Sequence, residues 1–409
     1  MPVRLDLVPK LSYRPPKPRM LIWLLILLLF VILGSGAVVF YVASDISNRS
    51  FVFWLYSIGV PLALWCVCFG IRWSIYLGQN IFADGWDERY QDVIAREIQR
   101  GRRSLQILKS AVYTAVDSDE DCQGTFKSLL SNEKTIKSQP TWYSENPIRH
   151  SHLPRNRTEL PKDVIEKVLS SIAIELIDTI SSQPNSTSLS LYVDSSTPLE
   201  KDNVQRMFVQ KLVENDVRSD ILFVGGDSLW VIDNWLDNKI KDDSLLIVVS
   251  IQVSPDEPEL TAESAIGLIF ANRLSQKITT PIAYLHRPEC FSESEIEKGM
   301  AQAMDWVPVK AESISQMWLA GLSQEENISI AQAMETAKLL VDQNKSVYDI
   351  DAMLGNPKCV APWLALAIAA QAAQESADYQ MTLSSTSELS KEIWCAVVAP
   401  YKDRQEIEV

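Results

Sequence analysis

Histidine is nearly absent from this chain. Its 409 residues hold three, His150, His152 and His286, too few and too poorly placed for a His-rich metal centre. Of six cysteines, Cys66 and Cys68 lie inside an apolar run, and Cys122, Cys290, Cys359 and Cys395 are scattered without a CxxC pair. Neither a disulfide framework nor a zinc site is signalled. The chain also lacks a GxSxG elbow, a Walker A loop, a GxGxxG fingerprint and an HExxH helix. These absences argue against an enzyme, and no residue is assigned a catalytic, cofactor-binding or metal-binding role. Positive charge is short as well: beyond Gly78, 31 basic residues face 50 acidic ones, a net charge of −19. Such a surface repels phosphate backbones and anionic lipid, which excludes nucleic acid and favours the basic face of a protein partner.

What the sequence does contain is two uncharged apolar runs, Met20–Ser44 and Phe51–Ile71. Each is long enough to cross about 30 Å of hydrocarbon at the helical rise of roughly 1.5 Å per residue. The short connection Asp45–Ser50, with Asp45 and Arg49, forces a hairpin. Arg4, Lys10, Arg14, Lys17 and Arg19 precede the first run, Arg49 stands alone between the runs, and Arg72, Arg89, Arg96, Arg100, Arg102 and Arg103 follow the second. Short flanks rich in Lys and Arg stay on the cytoplasmic side, so both termini and the soluble part are expected there. Trp23, Tyr41, Trp54, Tyr56 and Trp73 lie near the run ends, where amphipathic rings prefer the headgroup zone. A cleaved signal peptide is the competing reading of the first run, but the run exceeds the usual apolar region and a second follows at once. On a cytoplasmic domain the glycosylation-like tripeptides at Asn156, Asn185, Asn327 and Asn344 are chance matches.

Beyond the runs, Ser104–Val116 reads as a strand or the edge of a buried helix, and period alone does not separate the two. Residues 117–160, with Asp117, Asp119, Glu120 and Asp121 and with Pro140, Pro147 and Pro154, read as a long surface excursion, partly disordered. Trp142 and Tyr143 within it either anchor a partner or pack the loop onto its own domain. Pro161 opens a helix with Val164, Val168, Ile172, Leu176 and Ile180 on one buried stripe. Ser188–Asp194 alternates as a half-buried strand, and a helix from Asp202 turns Val204, Met207, Phe208 and Leu212 inward. Then come strand Ile221–Ser228 cut off by Gly225–Gly226, a helix around Leu229–Ile240 and the all-apolar strand Leu245–Val253. A helix over Thr261–Leu274 and a strand ending in Pro281–Pro288 complete the alternation. From Ser292 the chain reads as mostly helical (Glu293–Trp306, Glu325–Asp342 and the Ala-rich Pro362–Ala377), with one further strand, Ile393–Ala399. Such order implies an α/β fold with a mixed or mostly parallel sheet flanked by helices. The expected organisation is a transmembrane hairpin with a basic arm (1–78), an α/β domain (79–290) and a mostly helical α/β domain (291–409).

Candidate chemistry is sparse. Gly225–Gly226–Asp227–Ser228 follows a strand and precedes a helix, so its amides either cradle an anion or just turn the chain. If the strands run parallel, Asp194, Asp227 and His286 emerge at one sheet end, where open α/β folds place ligands; Asp at a strand end also commonly caps a helix. Cys359 lies just ahead of the helix begun by Pro362, where the helix dipole can lower a thiol pKa. That placement resembles the thiolase and ketosynthase architecture, whose reactive cysteine starts a buried helix. The small-residue sequence around such a nucleophile is missing, and a buried structural cysteine is the alternative.

Arg100–Val116, Ser244–Val253, Thr261–Ala265, Pro281–Pro288 and Pro362–Ala373 together resemble the bacterial type VI lipase adaptor family. The resemblance implies a non-enzymatic adaptor without cofactors, anchored in the bacterial inner membrane, that grips a lipase effector and aids its loading onto the secretion spike protein. An immunity protein against the same lipase and an acyl-transfer enzyme using Cys359 are the alternatives.

Overall fold

The computed structural model describes residues 11–41, 50–116, 124–184, 187–217, 220–272, 280–336, 346–386 and 392–401. Arg4, Lys10, Asp45, Arg49, Asp117, Asp119, Glu120, Asp121, Cys122, Asn185 and Asn344 lie outside them. Two compact units result, residues 4–97 and residues 98–409.

In the first unit, α1 (Met20–Tyr41) is followed by α2 (Ser50–Trp54), a π-helical turn (Leu55–Gly59) and α3 (Val60–Gly101), which runs on into the second unit. Two helical stretches, Met20–Phe40 and Phe51–Gly101, are long and apolar enough to cross a membrane. Pro61 has no N–H to give to a preceding carbonyl, and the wider turn ahead of it absorbs that loss, with Val60 N–H bonding Leu55 O. Gly34 of α1 meets this point: a Cβ there would lie 2.3 Å from Pro61 Cγ. Further along, the Trp65 indole donates to the Trp23 carbonyl at 2.8 Å, and Phe69 stacks on Trp65 and meets Trp23 edge-on. The segment ahead of α1 returns along α3, where Ser12 N–H donates to Asp87 at 3.1 Å and Arg14 pairs with Asp84 at 2.9 Å.

The second unit continues with β1 (Ser104–Tyr113), α4 (Gly124–Leu130), β2 (Lys137–Gln139), β3 (Ile148–His150), α5 (Pro161–Ser181), β4 (Ser188–Ser196), α6 (Lys201–Glu214), β5 (Ile221–Phe223), α7 (Trp230–Asn238), β6 (Ser244–Gln252), β7 (Ser264–Asn272), β8 (Ala283–His286) and β9 (Glu289–Ser292). It closes with α8 (Ile296–Asp305), β10 (Ile314–Ala320), α9 (Gln324–Thr336), β11 (Val347–Asp349), α10 (Ile350–Leu354), α11 (Ala361–Ser376), β12 (Tyr379–Ser384) and β13 (Glu392–Pro400). Strands β2 and β3 form a separate ribbon. The others make one mixed sheet in the order β11-β10-β12-β13-β8-β1-β7-β6-β4-β5, with β9 also on β13.

The sheet consists of two halves built alike. β4 lies parallel to β5 and β6, and β7 returns antiparallel to β6; β10 lies parallel to β11 and β12, and β13 returns antiparallel to β12. Strands β1 and β8 join them. Alternation along each strand then sorts the core into layers. Leu246 and Val248 of β6 and Trp394, Ala396 and Val398 of β13 share one apolar cluster with α7 and α11. Leu245, Ile247 and Val249 turn instead to α5 and α6, and Ile393, Cys395 and Val397 turn to α8 and the β10 side. Helix α11 is therefore a middle layer, buried on every side from Ala361 to Ala370. Its many alanines give high helix propensity with little bulk, which lets two half-sheets close over it.

Several sequence expectations are corrected here. The helix expected over Thr261–Leu274 is strand β7, buried at all nine positions between β6 and β1. A continuous apolar run carries no period, so only its pairing partners decide its form. Residues 104–113 resolve as strand β1. Strand β4 is covered on both faces, with Ser190 and Tyr192 buried as well as Leu189, Leu191 and Val193. The region from Ser292 contributes β10, β11 and β12 besides the expected last strand.

Candidate functional site

Carboxyl ends of β4 and β6 lie side by side, with Asp194 opposite Ser250. The start of α11 comes to the same place: Ser250 Oγ donates to the Cys359 carbonyl at 3.3 Å, and the Cys359 thiol points to the Ile251 carbonyl at 3.7 Å. So does the start of α7, where Ser228 N–H donates to the Tyr192 hydroxyl at 3.1 Å while that hydroxyl donates to Asp194 at 3.2 Å. The Tyr192 ring packs on Trp363 of α11, and Lys201 lies over it at 5.1 Å. Both central helices thus present their N-termini to one polar cluster of Cys359, Asp194, Tyr192, Ser228 and Ser250, with Lys201 at its rim.

Electrostatics in this cluster favour neutral forms. Burial, followed by the charge of Asp194, pushes the Cys359 thiol well above its usual range. Burial likewise raises Asp194, against the pull of Lys201 and the Tyr192 hydrogen bond. Burial and Asp194 together raise the Tyr192 phenol. Cys359 therefore rests as a protonated thiol, and Asp194 is the carboxylate beside it. The dipole of α11 does not by itself ionise the thiol, because desolvation of a thiolate outweighs it here.

His286 is absent from the cluster. Its partner is Ser104, whose neighbour Leu105 pairs with Asn272, and Ala271 pairs with Leu245 at the opening of β6. Because β7 and β8 run antiparallel to β6 and β4, His286 emerges at the opposite sheet end from Asp194. The expected trio of Asp194, Asp227 and His286 is therefore corrected to Asp194 and Asp227, whose charge reaches Asp194 from the turn before α7. In that turn Gly226 adopts φ +151°, and a Cβ there would lie 2.6 Å from Val231 Cγ2. The glycine serves the turn itself.

Sequence reasoning missed Tyr192, Ser250 and Lys201, which no local motif singles out. It also missed Asp351. This carboxylate accepts from Gly321 N–H with both oxygens at 3.0 Å, and burial pushes it up to about 8. It lines a cleft of ≈ 1110 Å³ at the carboxyl ends of β10 and β11, together with Arg149, Ser323, Asn356 and Lys358. Lys358, in the turn just ahead of α11, lines this cleft next to Cys359 in the chain. Trp142 packs the excursion onto its own domain by donating its indole N–H to Glu263, whereas Tyr143 stays exposed. Among the described residues no group of three or more His, Cys, Asp or Glu is arranged to hold a metal ion.

No family model matches the chain, and no curated protein matches it in sequence. Solved structures do. The ketosynthase from module 1 of the bacillaene synthase of Bacillus amyloliquefaciens FZB42 aligns with TM-score 0.56 at 11% identity, over 74% of this chain and 74% of that one. The ketosynthase from module 6 of the bacillaene synthase of Bacillus subtilis 168 gives 0.54 at 9% identity, over 73% and 72%. The ishigamide ketosynthase/chain length factor gives 0.53 at 11% identity, over 73% and 100%. These likenesses correct the expectation of a non-enzymatic adaptor that loads a lipase effector, since the fold neighbours are ketosynthases, which are enzymes. Two like half-sheets enclosing a layer of buried helices give this chain the thiolase and ketosynthase fold.

Proposed function

We propose that this protein is a membrane-anchored acyl-transfer enzyme in which Cys359 accepts an acyl group from a thioester donor. One observation carries the reading: a cysteine in the turn just ahead of α11, whose residues Ala361–Ala370 are buried, lies near Asp194, where the N-termini of both central helices converge. The fold shared with ketosynthases supports it. In the proposed step Cys359 Sγ attacks the thioester carbonyl carbon while its proton passes to Asp194. The tetrahedral adduct then collapses, the bond to the donor sulfur breaks, and that sulfur takes the proton back from Asp194. No electron is gained or lost overall. Burial raises the pKa of Asp194 above its ordinary value, which suits a base that must accept and return one proton. Tyr192 and Lys201 hold the carboxylate in place. Two apolar helices and the excess of Lys and Arg on their outer flanks support an anchor in a bacterial inner membrane, with the soluble unit on the cytoplasmic side.

The test is intact-mass analysis of the detergent-solubilised full chain after incubation with acetyl- and decanoyl-coenzyme A. An acyl adduct is expected on the wild type, none on Cys359→Ala and a much slower one on Asp194→Asn. A folded wild type that acquires no adduct from either donor would overturn the proposal. Acylation rate should also rise with pH through a limb above the ordinary aspartate range, because Asp194 acts as base only when ionised.

A further inference from the structure

Helix α3 has one covered face and one bare one. Phe69 meets Trp23 of α1 edge-on, and the Ala83 carbonyl accepts from Ser12 Oγ at 3.5 Å, so the face that carries both is closed by α1 and by the segment ahead of it. Ala83 is buried there. At roughly 100° per residue, Ser74, Gly78, Ile81, Gly85 and Glu88 fall on the opposite face, with Phe82 and Arg89 along one side of it. No described residue covers them: all are exposed, Ile81 to 72% and Phe82 to 74%. Depth sharpens the point. Because α1 starts at Met20 and Trp23 packs against Phe69 and Trp65, the apolar span of α3 ends near Arg72. Ile81 and Phe82 follow Arg72 by about 14 Å of helical rise, past a headgroup zone of roughly 5–8 Å. Lipid tails do not reach them.

The glycines point to a close neighbour. A Cβ at Gly70, Gly78 or Gly85 would meet nothing within 4 Å, so no contact inside the chain asks for glycine at these positions. Glycine inside a helix costs about 1 kcal/mol relative to alanine, a cost offset where a second helix backbone comes close. Charge selects that neighbour. Glu88 and Arg89 are both exposed, and neither pairs with another charge among the described residues. They flank the bare face on opposite sides at nearly the same height. Two copies inserted in one bilayer in the same orientation meet with their α3 helices parallel, and a two-fold axis between parallel helices sets the left flank of one against the right flank of the other. Glu88 of each copy then faces Arg89 of the other.

We propose that the bare face of α3 is an interface between two copies of this chain, in which Gly78 and Gly85 let parallel helices approach, Ile81 and Phe82 cover the contact, and Glu88 of each copy pairs with Arg89 of the other. The dimer rests on the membrane anchor proposed above, which flotation of the full chain with vesicles checks by itself. Energy transfer between full chains carrying two colours of C-terminal fluorescent protein, reconstituted in phosphatidylcholine vesicles and diluted with lipid, tests the dimer. Transfer should persist on dilution until the copies dissociate. Gly85→Leu adds bulk only to the open face, leaves the single chain intact and should weaken the dimer roughly tenfold. Glu88→Arg sets like charges together on both sides of the axis and should weaken it roughly three- to tenfold, and adding Arg89→Glu should restore it. Transfer that only tracks surface density at every dilution would show single chains whose bare face meets lipid or water, and would overturn the proposal. So would wild-type transfer in Gly85→Leu, or a double charge exchange that fails to restore the dimer. A chain that fails to float would overturn the anchor and the dimer together, whereas one that floats without transfer overturns the dimer alone. Cys359→Ala should leave transfer unchanged, which separates the dimer from the acyl-transfer reading.

Discussion

At the scale of single residues, the most constrained charge is Arg287, which has no exposed surface. It faces Asp233 at 3.2 Å and also pairs with Asp237, at the carboxyl end of α7. Arg100 bonds the same Asp237 at 2.8 Å, and Arg103 donates to the Leu236 carbonyl at 2.9 Å, so three cations gather where the dipole of α7 is negative. Burial works against ionised Asp237, but its bonds to Arg100 and Arg287 outweigh that and hold it at about 2. Its contribution to stability is therefore complete above the unfolded-state range near 4 and is lost as pH falls toward 2. Replacing Arg287 with Met should cost about 3–5 kcal/mol, because the buried ion pairs to Asp233 and Asp237 lose their shared guanidinium. Urea unfolding at neutral pH measures it. Asp351 behaves oppositely. Its folded pKa of about 8 exceeds the unfolded value, so the unfolded chain loses this proton first, and stability declines between about pH 4 and pH 8. Asp351→Asn keeps an acceptor for Gly321 N–H and should flatten that slope, read as the difference between urea midpoints at pH 5 and pH 8. A slope unchanged in the variant would contradict the assignment.

Elements depend on a few close approaches. Gly267 of β7 admits α5: a Cβ there would lie 2.4 Å from Ile172 Cγ2 and 3.0 Å from Leu176 Cδ1. Gly267→Val should destabilise the second unit by roughly 1–3 kcal/mol or more, visible as a lowered urea midpoint. Trp363→Ala in α11 should cost about 3–5 kcal/mol, since a fully buried indole leaves a cavity between two half-sheets that cannot collapse together. Among elements, α5 was legible in the sequence because Val164, Val168, Ile172, Leu176 and Ile180 repeat at helical spacing, and all five are buried. Strand β7 was not legible. Its residues Ser264–Asn272 combine good helix formers with β-branched ones, and burial on both faces erases the alternation that marks a strand. Strand β12 was hidden similarly, as Tyr379–Ser384 is short and its Gln380 and Thr382 are buried polar residues that donate to Ser315 of β10 and to the Ala396 carbonyl of β13.

For the whole molecule, the doubled arrangement of β4 to β7 and β10 to β13 has no counterpart in a fixed sequence period. The halves share strand order and direction, not residues, because a sheet strand asks only for apolar side chains on covered faces. This is also why texture along the chain suggested an adaptor while the assembled fold matches ketosynthases. The α1–α3 hairpin is the part most open to a direct check: Gly34→Leu should separate the two helices, lowering the efficiency of a crosslink between cysteines placed at positions 30 and 65 in the full chain. A crosslink as strong as in the Gly34 parent would contradict the packing at Pro61.

Residue order alone determined what depends on neighbours within a turn or two: two stretches apolar and long enough to span a membrane, the helix of α5, the strand of β6 and the buried character of α11. Tertiary structure decided the rest, namely that β7 and β8 reverse direction, that His286 departs to the far end of the sheet, and that Cys359 meets Asp194. Periodicity fixes which face of an element is apolar, whereas strand direction and partner are set by contacts between segments far apart in the chain, and no local pattern encodes those.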